Sequence, residues 1–186
     1  MKNEENKSSC SISPRSYPEA ISLSENEARC KKLIFENFGN RENFLKEFNP
    51  DKQFTYAKDE KMCFCCNAPT IKEASVGYSP IVVESWIEIQ LNDLISYLGI
   101  EPPPLPTLTQ CAKIIAQEYW FFKTSEILLF FYKFKAGHYE RFYKTFDPII
   151  LMKGLHDFKE YRRENTFSFD IQYKLEKCIK YLLPER

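Results

Sequence analysis

The chain has 186 residues, enough for one ordinary domain with a tail. Its 26 basic and 26 acidic residues give a net charge of zero, which argues against the basic field of a general nucleic-acid binder but leaves room for a local basic patch. Hydrophobic residues make up 44% and aromatic residues 16% of the sequence, so a fully disordered chain is excluded and a core built from aromatic rings is expected.

The first part of the chain offers few structural signals. Residues 1–24 are polar and contain two prolines, which predicts a disordered tail. Apolar residues at helical spacing predict helix from about residue 25 to residue 48, with a break at Gly39-Asn40. Residues 51–79 show little periodicity and are predicted to be loop, with residues 53–57 as a candidate short strand.

The second part carries clear helix signals. Ser79-Pro80 supplies a cap residue followed by proline at the first helical position, and Gly99 fits the left-handed position after the helix end. Four more helices are predicted. The first runs from Thr107, which has capping-box spacing to Gln110, to about Trp120, the second runs from Thr124 to Gly137, and the third begins at Asp147-Pro148. The fourth covers residues 171–182, where an apolar stripe is formed by Ile171, Leu175, Cys178, Ile179 and Leu182.

These elements define the expected architecture. About five helices after residue 79, without regularly alternating strands, predict an all-α protein. We expect a compact orthogonal helical bundle with a flexible N-terminal tail and a loop-rich segment that contains cysteines. Residues 1–24 are interpreted as the tail, residues 25–78 as a helical and loop appendage, and residues 79–186 as the helical core domain.

Cysteine usage indicates a reducing compartment. There are seven cysteines, and the polar residues after Met1 lack the apolar stretch of a secretory signal, so a cytoplasmic protein is predicted. No apolar run approaches the roughly 20 residues needed to span a bilayer, so no membrane partner is expected.

A cluster of thiols at Cys63, Cys65 and Cys66 supplies the candidate metal ligands. A structural zinc site normally offers two ligand pairs, whereas this segment has CxCC spacing, and both histidines, His138 and His156, lie far away along the chain. Unpaired thiols are therefore the favoured interpretation, and no cofactor is expected.

Signatures of catalysis are missing from the sequence. A Cys or Ser nucleophile needs a nearby base, and no recognisable motif surrounds either histidine. The five glycines form neither of the common phosphate-binding patterns, GxxxxGK and GxGxxG. The sequence therefore predicts a protein that is not an enzyme.

Basic and aromatic residues alternate from Phe130 to Lys144. Aromatic rings can stack on bases while Lys and Arg contact phosphates, so this composition suits nucleic acid. Alternatively, the rings point into the core at helical spacing and leave the lysines on a solvated face. The candidate contact residues for nucleic acid or a partner are Lys133, Lys135, Tyr139, Arg141, Tyr143 and Lys144.

The same segment carries a family resemblance. It reads Phe130-Phe131-x-x-Phe134-Lys135-x-Gly137-x-Tyr139-x-x-Phe142-Tyr143-x-x-x-Asp147-Pro148, and it follows Ala68-Pro69-Thr70-Ile71 and Trp86-Ile87-x-Ile89-Gln90-Leu91-x-Asp93-Leu94. Over roughly residues 68–163 the chain thus resembles a family of uncharacterised proteins of Bacteroidetes-type bacteria and their mobile elements. The resemblance implies a small helical protein without an assigned activity, with a general similarity to helical domains of phage helicase-loader proteins. The family commonly has glycine after Tyr139, where this chain has Glu140, so the resemblance does not extend to a tight turn there.

Three functional hypotheses follow. The first is a non-enzymatic helical adaptor that serves the replication or maintenance of a mobile element by binding another protein. The second is an accessory protein that binds DNA through Lys133, Lys135, Arg141 and Lys144, and it requires these four cations to share one face. The third is a module stabilised by a metal at the three clustered thiols.

Overall fold

The computed structural model describes residues 23–182, with side chains over residues 24–166 and at Ser168. The tail predicted for residues 1–24 falls almost entirely on residues 1–22, outside this range. The helices are α1 (Leu23–Phe38), α2 (Arg41–Glu47), α3 (Gln53–Lys58), α4 (Glu60–Cys65), α5 (Ile71–Tyr78), α6 (Pro80–Leu98), α7 (Leu105–Glu118), α8 (Thr124–Lys135) and α9 (Pro148–Leu182), and a 3-10 helix covers Pro50–Lys52.

The all-α prediction is confirmed. Over residues 23–182 the β-type backbone pairing is limited to two isolated bridges, one between Thr70 and Lys123 and one between Glu101 and Thr145. In this part of the chain no helix combines the length and the apolar character needed to cross a membrane.

The break between α1 and α2 lies where the sequence predicts it. Gly39 adopts a φ of +69°, which glycine tolerates without steric cost. Asn40 then caps α2, because its side-chain oxygen accepts a hydrogen bond from the Asn43 amide at 3.0 Å.

The loop predicted over residues 51–79 is wrong, and so is the candidate strand over residues 53–57. This stretch forms α3, α4 and α5, which have only six, six and eight residues. Helices this short contain too few turns for an apolar stripe to repeat, so periodicity could not reveal them. Their caps could have done so, because Thr70 and Glu73 form a capping box, with Glu73 accepting from the Thr70 amide at 2.8 Å.

The proline-rich segment between α6 and α7 follows a helix end that the sequence predicts and precedes a helix start that the sequence misplaces. Gly99 ends α6 in the left-handed conformation, as predicted. Helix α7, however, begins at Leu105 rather than after a Thr107 cap, and the Thr107 amide donates to the Pro104 carbonyl at 2.9 Å. Proline is accommodated in the first turn because its missing N–H would have no helical partner there.

The C-terminal part forms one helix where the sequence predicts two. Helix α9 runs continuously for 35 residues, and Asp147 caps it by accepting from the Ile149 amide at 2.8 Å. The predicted stripe over residues 171–182 lies outside the described side chains.

Helix α8 occupies the centre of the fold. Every residue from Thr124 to Phe131 is buried, as expected for a helix surrounded on all sides. Helices α3, α4, α6 and α9 pack around it, while α1 packs on α5 and α7 packs on α6. One buried cluster runs from Phe44 to Phe158, so the core continues across residue 79, where the sequence suggests the start of a separate domain.

Candidate functional site

Lys133 of the basic–aromatic segment is held inside the protein. Its ammonium group donates to the Glu60 carboxylate at 2.7 Å and lies 4.2 Å from the centre of the Tyr161 ring. The Tyr161 hydroxyl donates to the same carboxylate. Burial by itself would lower the pKa of Lys133, but its hydrogen bonds with Glu60 and Tyr161 outweigh that effect and raise the pKa. Lys133 therefore joins α8 to α4 and α9.

Lys135 is directed to another side of α8. Residues two positions apart on a helix are separated by about 200° around its axis, so Lys133 and Lys135 meet different neighbours. Lys135 forms an ion pair with Asp93 of α6, and its ammonium lies 5.3 Å from the centre of the Tyr97 ring. This cation is also committed to a contact within the protein.

Tyr139 is half-buried and packs against the core. Its ring lies 5.5 Å from that of Phe130 and 5.8 Å from that of Phe134, and burial raises the pKa of its hydroxyl. Gly154 of α9 permits this packing, because a Cβ on that residue would lie only 3.3 Å from Phe134 and 3.4 Å from Tyr139.

The remaining candidates, Arg141, Tyr143 and Lys144, lie exposed on the link between α8 and α9. Tyr143 keeps 93% of its surface exposed. Within the part of the chain that the structure describes, neither Arg141 nor Lys144 has an ion-pair partner. The four predicted cations therefore do not share a face: two point into the fold and two remain on the link.

A pocket of about 260 Å³ opens beside this link, between the C-terminal ends of α6 and α8. Polar and apolar atoms contribute about equally to its walls, and its two cations come from α8 and the link. The residues that define this link pocket are Leu98, Ile100, Phe134, Lys135, Arg141 and Phe142. The bridge between Glu101 and Thr145 holds the loop after α6 against the link.

The link pocket differs from a larger groove, of about 380 Å³, between α1 and α5. That groove is lined by one basic and one acidic side chain, Arg29 and Glu73, together with neutral residues such as Cys30. It therefore presents no excess of either charge.

The three clustered thiols lie in different environments. Cys63 is buried, Cys65 is exposed, and the Cys66 thiol lies 3.5 Å from the Ser125 hydroxyl. Burial raises the pKa of the Cys63 thiol, which disfavours the thiolate that metal binding requires. Among the residues that the structure describes, no group of three His, Cys, Asp or Glu side chains is placed to hold a metal ion.

Glu126 has a buried carboxylate with a structural role that the sequence analysis did not predict. It accepts hydrogen bonds from the Arg162 guanidinium at 2.8 Å and from the Lys123 amide at 2.9 Å. Burial raises the pKa of Glu126, although Arg162 and Lys123 counteract the rise. The Lys123 ammonium donates at 2.8 Å to the carbonyls of Phe64 and Cys66, where α4 ends. The sequence does carry a signal for this role. Glu126 follows Lys123 by three residues, which is the position from which a carboxylate can accept a hydrogen bond from the backbone amide at the start of a helix.

Three residues of the segment Trp86 to Leu94 also have internal hydrogen-bond partners, namely Trp86, Gln90 and Asp93. The Trp86 indole donates to the Phe48 carbonyl at 2.6 Å, and the Gln90 amide donates to the same oxygen at 3.2 Å. Gln53 of α3 donates to Gln90 at 2.8 Å and to Asp93 at 3.1 Å. This part of the family resemblance therefore includes side chains of α6 that hydrogen-bond to α3. One of them is Asp93, which also forms the ion pair with Lys135.

The fold defines an all-α protein, and the link with its pocket is one of its exposed features. Residues 104–180, which form α7, α8, the link and most of α9, match the family model described as "Family of unknown function (DUF6633)". The match covers less than half of the chain and supports an uncharacterised domain over α7 to α9, including the basic–aromatic segment. No curated protein and no solved structure matches the chain.

Proposed function

We propose that this chain is a non-enzymatic helical module that binds another protein through the link between α8 and α9. The observation that carries the proposal is the separation of the four candidate cations. Lys133 and Lys135 are neutralised by acids of α4 and α6, which leaves Arg141 and Lys144 beside an exposed tyrosine.

A nucleic-acid surface would need more cations than the link provides. Each phosphate contact releases counterions, and several such contacts are needed for useful affinity at cellular salt concentrations. An arginine close to an exposed tyrosine is, in contrast, a composition that suits a protein contact, because Tyr and Arg are enriched at the centres of protein interfaces.

Two features support a function without catalysis. His138 and His156 are both exposed, and over residues 24–166 neither side chain hydrogen-bonds to a thiol, hydroxyl or carboxylate. One oxygen of the buried Glu126 carboxylate accepts from Arg162 and from a helix-capping amide, which gives the residue a role in the fold, while its other oxygen has no hydrogen-bond partner among the described residues. A role for a mobile element rests on the family resemblance alone, and a cytoplasmic location rests on the free thiols.

Direct binding of DNA is the second candidate function. It is favoured by the exposure of Tyr143 between Arg141 and Lys144, because a ring flanked by two cations can stack on an unpaired base.

Site-specific photo-cross-linking distinguishes the two functions. A photoreactive phenylalanine is incorporated at position 143, the protein is irradiated in the host cell, and the cross-linked adducts are analysed. A protein adduct of one defined mass is expected, and it should disappear when Arg141→Glu and Lys144→Glu are combined. Lys58→Glu combined with Lys113→Glu is the matched control, because it makes the same charge change at two exposed cations outside the link.

DNA binding is measured in parallel by fluorescence anisotropy with single- and double-stranded DNA at about 50 mM and about 200 mM salt. Little binding is expected at either concentration. Micromolar binding that weakens steeply with salt and is lost in the link double variant, together with cross-links to nucleic acid only, would replace the protein-binding proposal with the second function.

A further inference from the structure

The link pocket has the dimensions of a site for one side chain. Small-molecule sites usually enclose roughly 300–1,000 Å³, so a pocket of about 260 Å³ is small for a metabolite. A large apolar side chain of a partner would fit the available space together with part of its backbone. The pocket therefore suits a short segment of polypeptide.

Four side chains give the link pocket an apolar wall against which an apolar side chain can pack. Leu98, Ile100 and the rings of Phe134 and Phe142 contribute carbon atoms rather than hydrogen-bonding groups. The two rings are stacked on each other with centroids 5.0 Å apart, so one face of each ring is already covered. A Leu or Phe side chain can pack against these four side chains without a hydrogen-bond partner.

The rim of the link pocket carries positive charge without a matching internal acid. Lys135 is paired with Asp93, but the Arg141 guanidinium lies over Gly137, where a Cβ would be 3.7 Å away, at the C-terminal end of α8. Lys144 is exposed further along the link. The nearby carboxylate of Glu140 already forms an ion pair with Lys153, at 2.8 Å, and so does not neutralise Arg141.

From this combination we infer that the link pocket binds an acidic segment of a partner protein, with one large apolar side chain inserted and Asp or Glu residues on either side of it. The inference rests on the proposed protein-binding function and names the chemistry of the partner. The apolar side chain enters between Ile100 and Phe142, and the flanking carboxylates meet Arg141 and Lys144. Such charge pairs at the edge of an apolar contact set orientation and association rate.

Selection from a random peptide library displayed on phage tests the inference with the full-length protein as bait. We expect enriched peptides to share one Phe, Leu, Ile or Met between acidic residues. Synthetic copies of the enriched peptides are then titrated by fluorescence anisotropy. Replacing the apolar residue by Ala, or the acids by Asn and Gln, should weaken binding by about tenfold or more.

Two protein variants locate the binding site. Ala136→Trp fills the pocket from an exposed position, and Arg141→Glu reverses the charge of its rim, so neither change disturbs a buried side chain. Each should weaken binding of the acidic peptides by about tenfold or more, while Lys113→Glu should have no effect. Circular dichroism confirms that each variant is folded, and added salt should weaken binding to wild-type protein.

The outcomes separate this inference from the function on which it rests. Enriched peptides without acids, or acidic peptides that bind Ala136→Trp as tightly as wild type, would overturn the pocket assignment. A defined protein adduct at position 143 with no enriched peptide would overturn it as well and leave the protein-binding function standing. Loss of the protein adduct, with cross-links to nucleic acid only, would overturn both.

Discussion

Replacing Lys133 by Met removes the ammonium group that joins α4, α8 and α9 while keeping most of the apolar stem. Glu60 and the Tyr161 ring then lose their shared cation. Removing one partner of a fully buried ion pair costs about 3–5 kcal/mol. Because 29% of the Glu60 side chain is exposed, water can replace part of the lost interaction, and we expect Lys133→Met to reduce the free energy of unfolding by about 2–3 kcal/mol.

Urea unfolding followed by circular dichroism measures this change, and thermal unfolding should show Tm lowered by about 4–12 °C. Lys144→Met is the matched control, because that exposed lysine has no ion pair in the described residues and its loss should change stability by less than about 0.5 kcal/mol. A double-mutant cycle with Glu60→Gln should give a coupling energy of about 0.5–3 kcal/mol. If Lys133→Met is as stable as the Lys144→Met control, Lys133 is not an internal cation, and the separation of the four cations is refuted.

Three other predictions follow from buried groups. Gly77→Ala should destabilise the protein by about 1–3 kcal/mol, because the new Cβ at position 77 would lie 2.5 Å from Ile34 Cγ2. Adding Ile34→Ala removes this clash, so the double variant should show stronger hydrogen-exchange protection of α1 than Gly77→Ala alone. Because the folded-state pKa of Glu126 is raised above its ordinary value of 4.5, its contribution to stability is present below that value and is lost as the pH rises. The free energy of unfolding of wild type relative to Glu126→Gln, measured by urea titration, should therefore fall with rising pH. A difference that grew with pH would contradict the burial argument. Iodoacetamide should alkylate the exposed Cys65 well before the buried Cys63, whose thiol pKa is raised, and mass spectrometry that finds equal rates would contradict the packing of α4.

Most of the helical architecture was predictable because its signals are local. Gly39, Gly99 and Pro80 mark helix boundaries through backbone constraints that each residue carries by itself. The stripe on α6 repeats over 19 residues, which is long enough for helical periodicity to be read. Helices α3 to α5 were missed for the opposite reason, since one or two turns do not repeat a pattern.

The candidate site was predictable only in part. The exposed trio on the link lies within the segment that composition singled out, but its pocket also needs Leu98 and Ile100 from the end of another helix. The same segment contributed Tyr139, which packs against the core where Gly154 leaves space for its ring. Composition alone could not tell these environments apart.

By itself, then, the sequence determined the helical class, several helix ends and the segment in which aromatic and basic residues gather, because caps, prolines, glycines and apolar spacing act over a few residues. Only the tertiary structure decided which cations are free. Lys133 meets Glu60 and Lys135 meets Asp93 because α4 and α6 pack against different sides of α8. An ion pair of that kind depends on the position of a distant helix, and a lysine's own neighbours along the chain do not specify it.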